Sequence, residues 1–234
     1  MNIHTYSCLE GARKASGTTV IIDVFRAFTL EAYLIHYGAK AIYPVGSIED
    51  AYKLKERYPD ALLFGERKGK KIEGFDYGNS PSSIRPENVK GKVIIHTTSA
   101  GTQGLEAAKD ADMIIAGSLV TSKAIAEYIR KQDPIDVSLV AMGNMGTDPT
   151  EEDELCAQYI KALLEGRDMP DIRQQADDLR YSEGKKFFDP AQQEVFPQGD
   201  FACCTNVDQF NFVLKVIKKD IGFETIPIKE EQYV

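Results

Sequence analysis

The chain has 234 residues, enough for one well-buried domain, alone or with a small subdomain. Hydrophobic residues make up 43% and charged residues 27%, the balance of an ordinary globular protein. The net charge of −8 argues against a general nucleic-acid binder or an anionic-membrane binder, and leaves small anionic ligands open.

The opening stretch, "MNIHTYSCLEGARK", has no apolar signal-peptide core, and no apolar run is long enough to span a bilayer. A cytoplasmic protein with no membrane partner is expected. Short apolar, β-branched runs then recur: "TTVIIDVF", "KAIYPV", "ALLFGE", "KVIIHTT", "ADMIIAGS" and "IDVSLVAMG". Several are nearly continuous, the pattern of strands covered on both faces. Between them lie "AFTLEAYLIHYG", "SIEDAYKLKERY", "TQGLEAAKD", "TSKAIAEYIRKQ" and "TEEDELCAQYIKALLEG", with helical spacing. This alternation predicts an α/β fold with a largely parallel sheet and helices on both faces.

After Gly166 the segment becomes polar and proline-dotted, read as loop and short helix. The last two apolar runs flank Asp220-Ile221-Gly222, a hairpin signal, and should add antiparallel strands to the sheet or its edge. The expectation is one domain over 1–234, with core βα units in 1–166 and an irregular segment plus hairpin in 167–234.

Several chemistries lack their signatures. There is no G-x-G-x-x-G after the first strand, no Walker loop and no G-x-S-x-G elbow. The histidines, His4, His36 and His96, are scattered. Cys8, Cys156, Cys203 and Cys204 form no C-x-x-C pair, so reduced thiols used in packing are expected.

Four motifs remain. Asp23 ends a buried strand, where open α/β sheets place their ligands. Arg26, three residues on, carries a guanidinium suited to phosphate, carboxylate or sulfonate. Haloacid-dehalogenase phosphatases also begin on an aspartate after a strand, but Phe25 stands where their second aspartate belongs. The second motif is "GERKGKKIEGFDYGNSP", where Arg67, Lys68, Lys70 and Lys71 are interspersed with Glu66, Glu73 and Asp76. Glu66 and Asp76 are hard oxygen ligands of the kind Mg²⁺ accepts, and Gly65, Gly74 and Gly78 let backbone amides approach an anion. The third is "HTTSAGTQ", whose Thr97, Thr98, Ser99 and amides near Gly101 and Thr102 would face a ligand at a helix N-terminus, unless they only cap it. The fourth is "GNMGTDPTEEDELC", whose acids either complement the helix dipole or bind metal.

Together, "DVFRAFT", "GERKGKKIEGFDYGNSP", "TTSAGT" and "EEDELCA" resemble the 2-phosphosulfolactate phosphatase family over roughly the first two-thirds of the chain. The resemblance implies a three-layer α/β/α domain with a mixed sheet and a Mg²⁺-dependent phosphatase. The implied reaction converts 2-phospho-3-sulfolactate to 3-sulfolactate and phosphate, on the way to coenzyme M or to sulfolactate itself. Carried over by position, the implied residues include Asn79, Thr29, Glu152 and Asp153. Ser99-Ala100 stands where an asparagine is usual before the glycine. Beyond Arg167 only Asp200, Cys203 and Asp208 match.

The candidate catalytic residues are therefore Asp23, Arg26, Glu66, Arg67 and Asp76. Substrate binding falls to Lys68, Gly74, Gly78, Asn79, Thr97, Thr98, Ser99, Gly101 and Thr102. Candidate metal ligands are Asp23, Glu66, Asp76, Glu152 and Asp153. The substrate would carry roughly −4 at neutral pH, taking a phosphomonoester as about −2, so an acidic protein needs a metal and local cations to hold it. The alternatives are a phosphatase of the same fold for another small phosphorylated acid, or a non-catalytic anion-binding protein. A homo-oligomer is compatible with either.

Overall fold

In the computed structural model, which describes residues 1–233, strands and helices alternate as the apolar pattern predicts. Strand β1 (Asn2–Ser7) leads through α1 (Cys8–Lys14) to β2 (Ser16–Ile22), followed by α2 (Ala27–His36), β3 (Ala41–Pro44), α3 (Ile48–Arg57) and β4 (Leu62–Arg67). A two-residue strand β5 (Lys70–Lys71), α4 (Pro86–Val89), β6 (Val93–Thr97), α5 (Gly101–Ala107) and β7 (Asp110–Gly117) come next. The main βα run ends with α6 (Ser122–Gln132), β8 (Asp136–Ala141) and α7 (Glu151–Leu164). The polar segment holds α8 (Ile172–Asp178), several 3-10 turns and α9 (Gln198–Cys204), before β9 (Phe212–Lys218) and β10 (Phe223–Lys229). Among the described residues no helix is long and apolar enough to cross a membrane, and all four cysteines are free thiols.

The described residues form one ten-stranded sheet in the order β1-β8-β2-β7-β9-β10-β3-β6-β4-β5. It contains two parallel blocks: β1, β8, β2 and β7, then β3, β6 and β4. The β9–β10 hairpin joins them through antiparallel pairings on both sides, so the blocks run in opposite directions. The hairpin thus adds to the sheet interior rather than its edge. Its turn is the expected one, with the Lys219 amide donating to the Gly222 carbonyl at 3.0 Å. Strand β1 carries no apolar run because it is an edge strand with no fully buried side chain, which leaves its sequence unpatterned.

Burial follows the strand alternation. Val20 and Ile22 of β2 pack with α6 and α7, while Ile21 packs with Ala12, Phe28 and Leu105 on the other face. Helix α2 has no polar side, which marks a helix enclosed all round. Its Ala27, Phe28 and Ala32 pack against the first parallel block, and its Leu30 and Leu34 against Ile42, Phe64 and Ile94 of the second. The sheet therefore curves around α2. One bond makes this concrete. Asp23 follows β2 and Gly101 follows β6, five strand steps apart and, with the blocks opposed, at opposite edges, so in a flat sheet they would be separated by more than roughly 24 Å. Yet the Gly101 amide donates to Asp23 Oδ2 at 2.8 Å. Curvature brings the carboxyl ends of β2 and β8 to those of β4 and β6, and the candidate site forms there.

Candidate active site

Asp23 is buried and held at both oxygens. Oδ1 accepts from the Ala27 amide at 3.1 Å, capping the start of α2, and Oδ2 accepts from Gly101. The capping and functional readings of this residue are thus compatible. The Phe25–Arg26 peptide in the same turn is cis. A side chain at Gly101 would place its Cβ 2.9 Å from Asp23 Oδ2 and 3.0 Å from the Phe28 ring, so the close approach of this amide requires glycine.

Asp153, in the first turn of α7, reaches back to the same strand ends. Its Oδ1 accepts from the Val24 amide at 2.7 Å and Oδ2 from the Gly143 amide at 2.8 Å. Glu152 beside it is buried, and its Oε2 has no hydrogen-bond partner. The Thr150 hydroxyl lies near enough to favour the charged Glu152, yet neither that hydroxyl nor Glu152 Oε2 makes a hydrogen bond of normal geometry.

The charged, glycine-rich stretch is an ordered hairpin rather than a loose loop. β4 and β5 pair through Glu66–Lys71 and Arg67–Lys70, and the intervening Lys68 and Gly69 both have positive φ, 54° and 79°. That combination is the tight turn that matches strand twist. It brings the Gly69 amide to Glu66 Oε2 at 2.7 Å, and Glu66 Oε1 accepts from the Ser99 amide at 2.6 Å. The ring of Phe196 seals the turn, 2.5 Å from where a Cβ on Gly69 would sit.

Several expected residues are occupied elsewhere. Asp76 is exposed, lies outside the carboxylate cavity, and its Oδ2 caps the Leu63 amide at 2.8 Å. Arg67 donates to its neighbour's carbonyl, Glu66 O, and to Thr97 Oγ1. Thr98 and Thr102 close a reciprocal cap on α5, so of the hydroxyl cluster only Ser99 reaches the cavity. Gly74 sits beside the Tyr52 hydroxyl, away from the carboxylates, and Gly78 lines the adjoining cavity with Lys70 and Lys71. Arg26 is the largest departure. Its guanidinium, read as a substrate clamp, is 4% exposed and donates to Asp200 Oδ2, the Val195 carbonyl and the Gly69 carbonyl. It braces the C-terminal segment against the hairpin.

What remains is a cavity of about 460 Å³ lined by Asp23, Glu66, Glu152 and Asp153, with Lys68, Asn79, Ser99 and Gly143 among its walls. A second cavity of about 490 Å³ adjoins it through Arg26, Gly69 and Asn79. The polar segment, which the sequence left without a role, supplies Glu183, Lys186 and Phe196. The Lys186 ammonium lies 5.5 to 5.7 Å from the ring centres of Phe25, Phe187 and Phe196, an aromatic setting that holds a cation without neutralising it. No charge-pattern or spacing signal links Lys186 to Asp23, because the fold alone makes them neighbours.

The profile of the 2-phosphosulpholactate phosphatase family matches residues 3–219. The chain belongs to this family. Its relatives include a protein of Bacillus subtilis named probable 2-phosphosulfolactate phosphatase, 34% identical over 88% of this chain and 90% of that one. Proteins of the same name from Carboxydothermus hydrogenoformans and Clostridium acetobutylicum are 42% and 40% identical, over 67% and 61% of this chain and 64% and 60% of theirs. The family name is that of a phosphoric monoester hydrolase, and the cavity has the electrostatics such a reaction uses. Burial pushes the Asp23 carboxyl up to about 6, with nearby Glu66 adding to the rise against the pull of the Ala27 and Gly101 amides. Burial likewise raises Glu152 to about 7, with Lys186 opposing. Asp153 is pushed well above the ordinary carboxylate range by burial and by its neighbours Glu152 and Asp23. Asp23, Glu152 and Asp153 crowd a space that disfavours their charged forms, so a cation placed among them is strongly attracted.

Proposed function

We propose that the protein is a Mg²⁺-assisted phosphatase that hydrolyses 2-phospho-3-sulfolactate to 3-sulfolactate and phosphate. The observation that carries this reading is the convergence of four buried carboxylates, from three separate segments, on one cavity that Lys68 and Lys186 also line, in a chain of this family. The substrate is that named for its relatives.

The donor set fits a hard divalent ion: it offers carboxylate oxygens, one of them, Glu152 Oε2, buried without a partner. Among the described residues no group of three or more His, Cys, Asp or Glu side chains is gathered to hold a metal. That suits Mg²⁺, which commonly takes one or two carboxylates and fills its remaining positions with water and substrate oxygens. Of the four lining carboxylates, Glu152 and Asp153 are the residues we assign to it. When bound, the ion would neutralise charge on the transferring phosphoryl group.

The chain's own groups have separate tasks. Asp23, unable to rotate between two amides, acts on the phosphorus centre as nucleophile or as base toward water. Lys68, Lys186 and Asn79 hold the anionic groups. The phosphorus–oxygen bond to C2 breaks, a water oxygen ends on phosphorus, and the C2 oxygen leaves as a hydroxyl after taking a proton. The test is the Mg²⁺ concentration for half-maximal phosphate release in wild type, Glu152→Gln and Asp153→Asn. A large rise in either variant, with metal-free melting little changed, supports metal binding by this pair. Unchanged Mg²⁺ dependence in both would confine them to capping α7.

Crowded acids also leave a signature in stability. Asp23 titrates near 6 when folded against an ordinary 3.8, and Glu152 near 7 against 4.5. The folded chain thus holds these protons more tightly than the unfolded chain. Their contribution is fully present below about pH 4 and is lost as pH rises through about 6 to 7. Melting of the metal-free protein should therefore fall across that window more steeply in wild type than in Asp23→Asn. Excess Mg²⁺ should recover the wild-type loss at neutral pH. Equal slopes in both proteins would show that Asp23 is not electrostatically crowded.

A further inference from the structure

We propose that Glu31 and His96 decide which end of the Asn79 side-chain amide faces the cavity, and that they turn its NH2 group toward the bound anion. The proposal rests on reading the cavity as an anion site. It adds two positioning residues that touch neither substrate nor metal.

Glu31, on α2, is fully buried where the enclosed helix meets the second parallel block. Its Oε2 accepts from the Thr225 hydroxyl of β10 at 2.8 Å, and its Oε1 lies 2.8 Å from His96 Nδ1. His96, on β6, is equally buried, and its Nε2 lies 2.8 Å from Asn79 Oδ1. Asn79 in turn lines both cavities. A hydrogen-bonded line thus runs from the central hairpin through the enclosed helix to the wall of the site.

The Asn79 amide oxygen only accepts, so the His96 Nε2 that faces it carries a proton. Glu31 holds the ring in that form from its other nitrogen, through the proton the two share. A bare Nε2 would instead accept from the Asn79 NH2 and leave the amide oxygen facing the cavity. A carbonyl oxygen aimed at a phosphate would repel it, whereas an amide NH2 group binds it.

The test uses the full-length chain labelled with ¹⁵N. It has three histidines, His4, His36 and His96, and the His96 resonances are assigned by their loss in His96→Gln. The His96 Nε2 should be protonated in wild type and bare in Glu31→Gln. Binding of inorganic phosphate in the presence of Mg²⁺ should weaken about 10-fold or more in Glu31→Gln, the scale of a lost hydrogen bond to a charged group. Asn79→Asp, which removes the NH2 group at constant size, should weaken it at least as much. If Glu31→Gln does not fold, the wild-type spectrum and Asn79→Asp decide. A bare His96 Nε2 in wild type overturns the proposal while leaving the phosphatase reading intact, and so does unchanged phosphate affinity in Asn79→Asp. Failure of wild type to bind phosphate overturns both.

Discussion

Asp23→Asn should lower the turnover number at least about 100-fold, the scale of losing a main electrostatic group at a reacting centre. The substitution keeps the size of the side chain, and one oxygen remains to accept from an amide. The other position becomes an NH2 group that meets either the Ala27 or the Gly101 amide, donor against donor. It removes a negative charge from a cavity where Glu66 and Asp153 already oppose it. The metal-free variant should therefore melt no lower than wild type by more than the loss of one amide bond, about 1 kcal/mol. Steady-state kinetics beside thermal melts separate the two effects. A folded variant with normal turnover would reduce Asp23 to the cap of α2. Trapping of an aspartyl-phosphate with borohydride on the wild type would choose nucleophile over base.

Asp200→Ala should destabilise the protein by about 3–5 kcal/mol, because it leaves the Arg26 guanidinium buried without a counter-charge. The pair is 2.7 Å apart, with side-chain exposures of 3% and 0%. Asp200 Oδ1 also accepts from Ser80 Oγ at 2.7 Å and from the Ser82 amide and hydroxyl at 3.0 and 2.6 Å, so the change also frees three donors. For a domain of this size the loss corresponds to a fall in melting temperature of roughly 6–20 °C. Asp220→Ala, which breaks the exposed Arg57–Asp220 pair, serves as the control and should leave the melting temperature nearly unchanged. Comparable small losses at both positions would show that Arg26 is solvated and available to substrate, as its sequence context suggests.

These two residues also show what the sequence could and could not reveal. Asp23 was legible because its signal is local: a buried β-branched run followed by an acid marks a strand end, and that is where Asp23 lies. The strands β2, β4, β6 and β8 were legible for the same reason. The ion pair of Arg26 was not legible because its partner Asp200 stands 174 residues away, and no local pattern says whether a guanidinium will meet a ligand or the protein. Thr98 and Thr102 show the same ambiguity, since a hydroxyl-rich turn before a helix serves equally to cap it and to bind an anion. The hairpin was recognisable from its turn. Its place between two opposed parallel blocks was not, because that depends on pairing with β7 and β3, far earlier in the chain. Lys186, Phe196 and the Glu31–His96 pair fall in the same class. Each is ordinary in sequence, and each is brought into place only by contacts between segments far apart in the chain.

The most direct measurement is phosphate release by the purified full chain from 2-phospho-3-sulfolactate, with Mg²⁺ and with a chelator, beside 2-phospholactate, which lacks the sulfonate. The account predicts Mg²⁺-dependent turnover of the sulfonated substrate, with kcat/KM of order 10⁴ M⁻¹s⁻¹ or above. Turnover should fall to background with chelator and recover when Mg²⁺ is restored, and 2-phospholactate should be a much poorer substrate. Turnover of other phosphorylated acids but not of 2-phospho-3-sulfolactate would contradict the substrate assignment. Release from none of them at any Mg²⁺ concentration would contradict the account as a whole and leave an anion-binding protein.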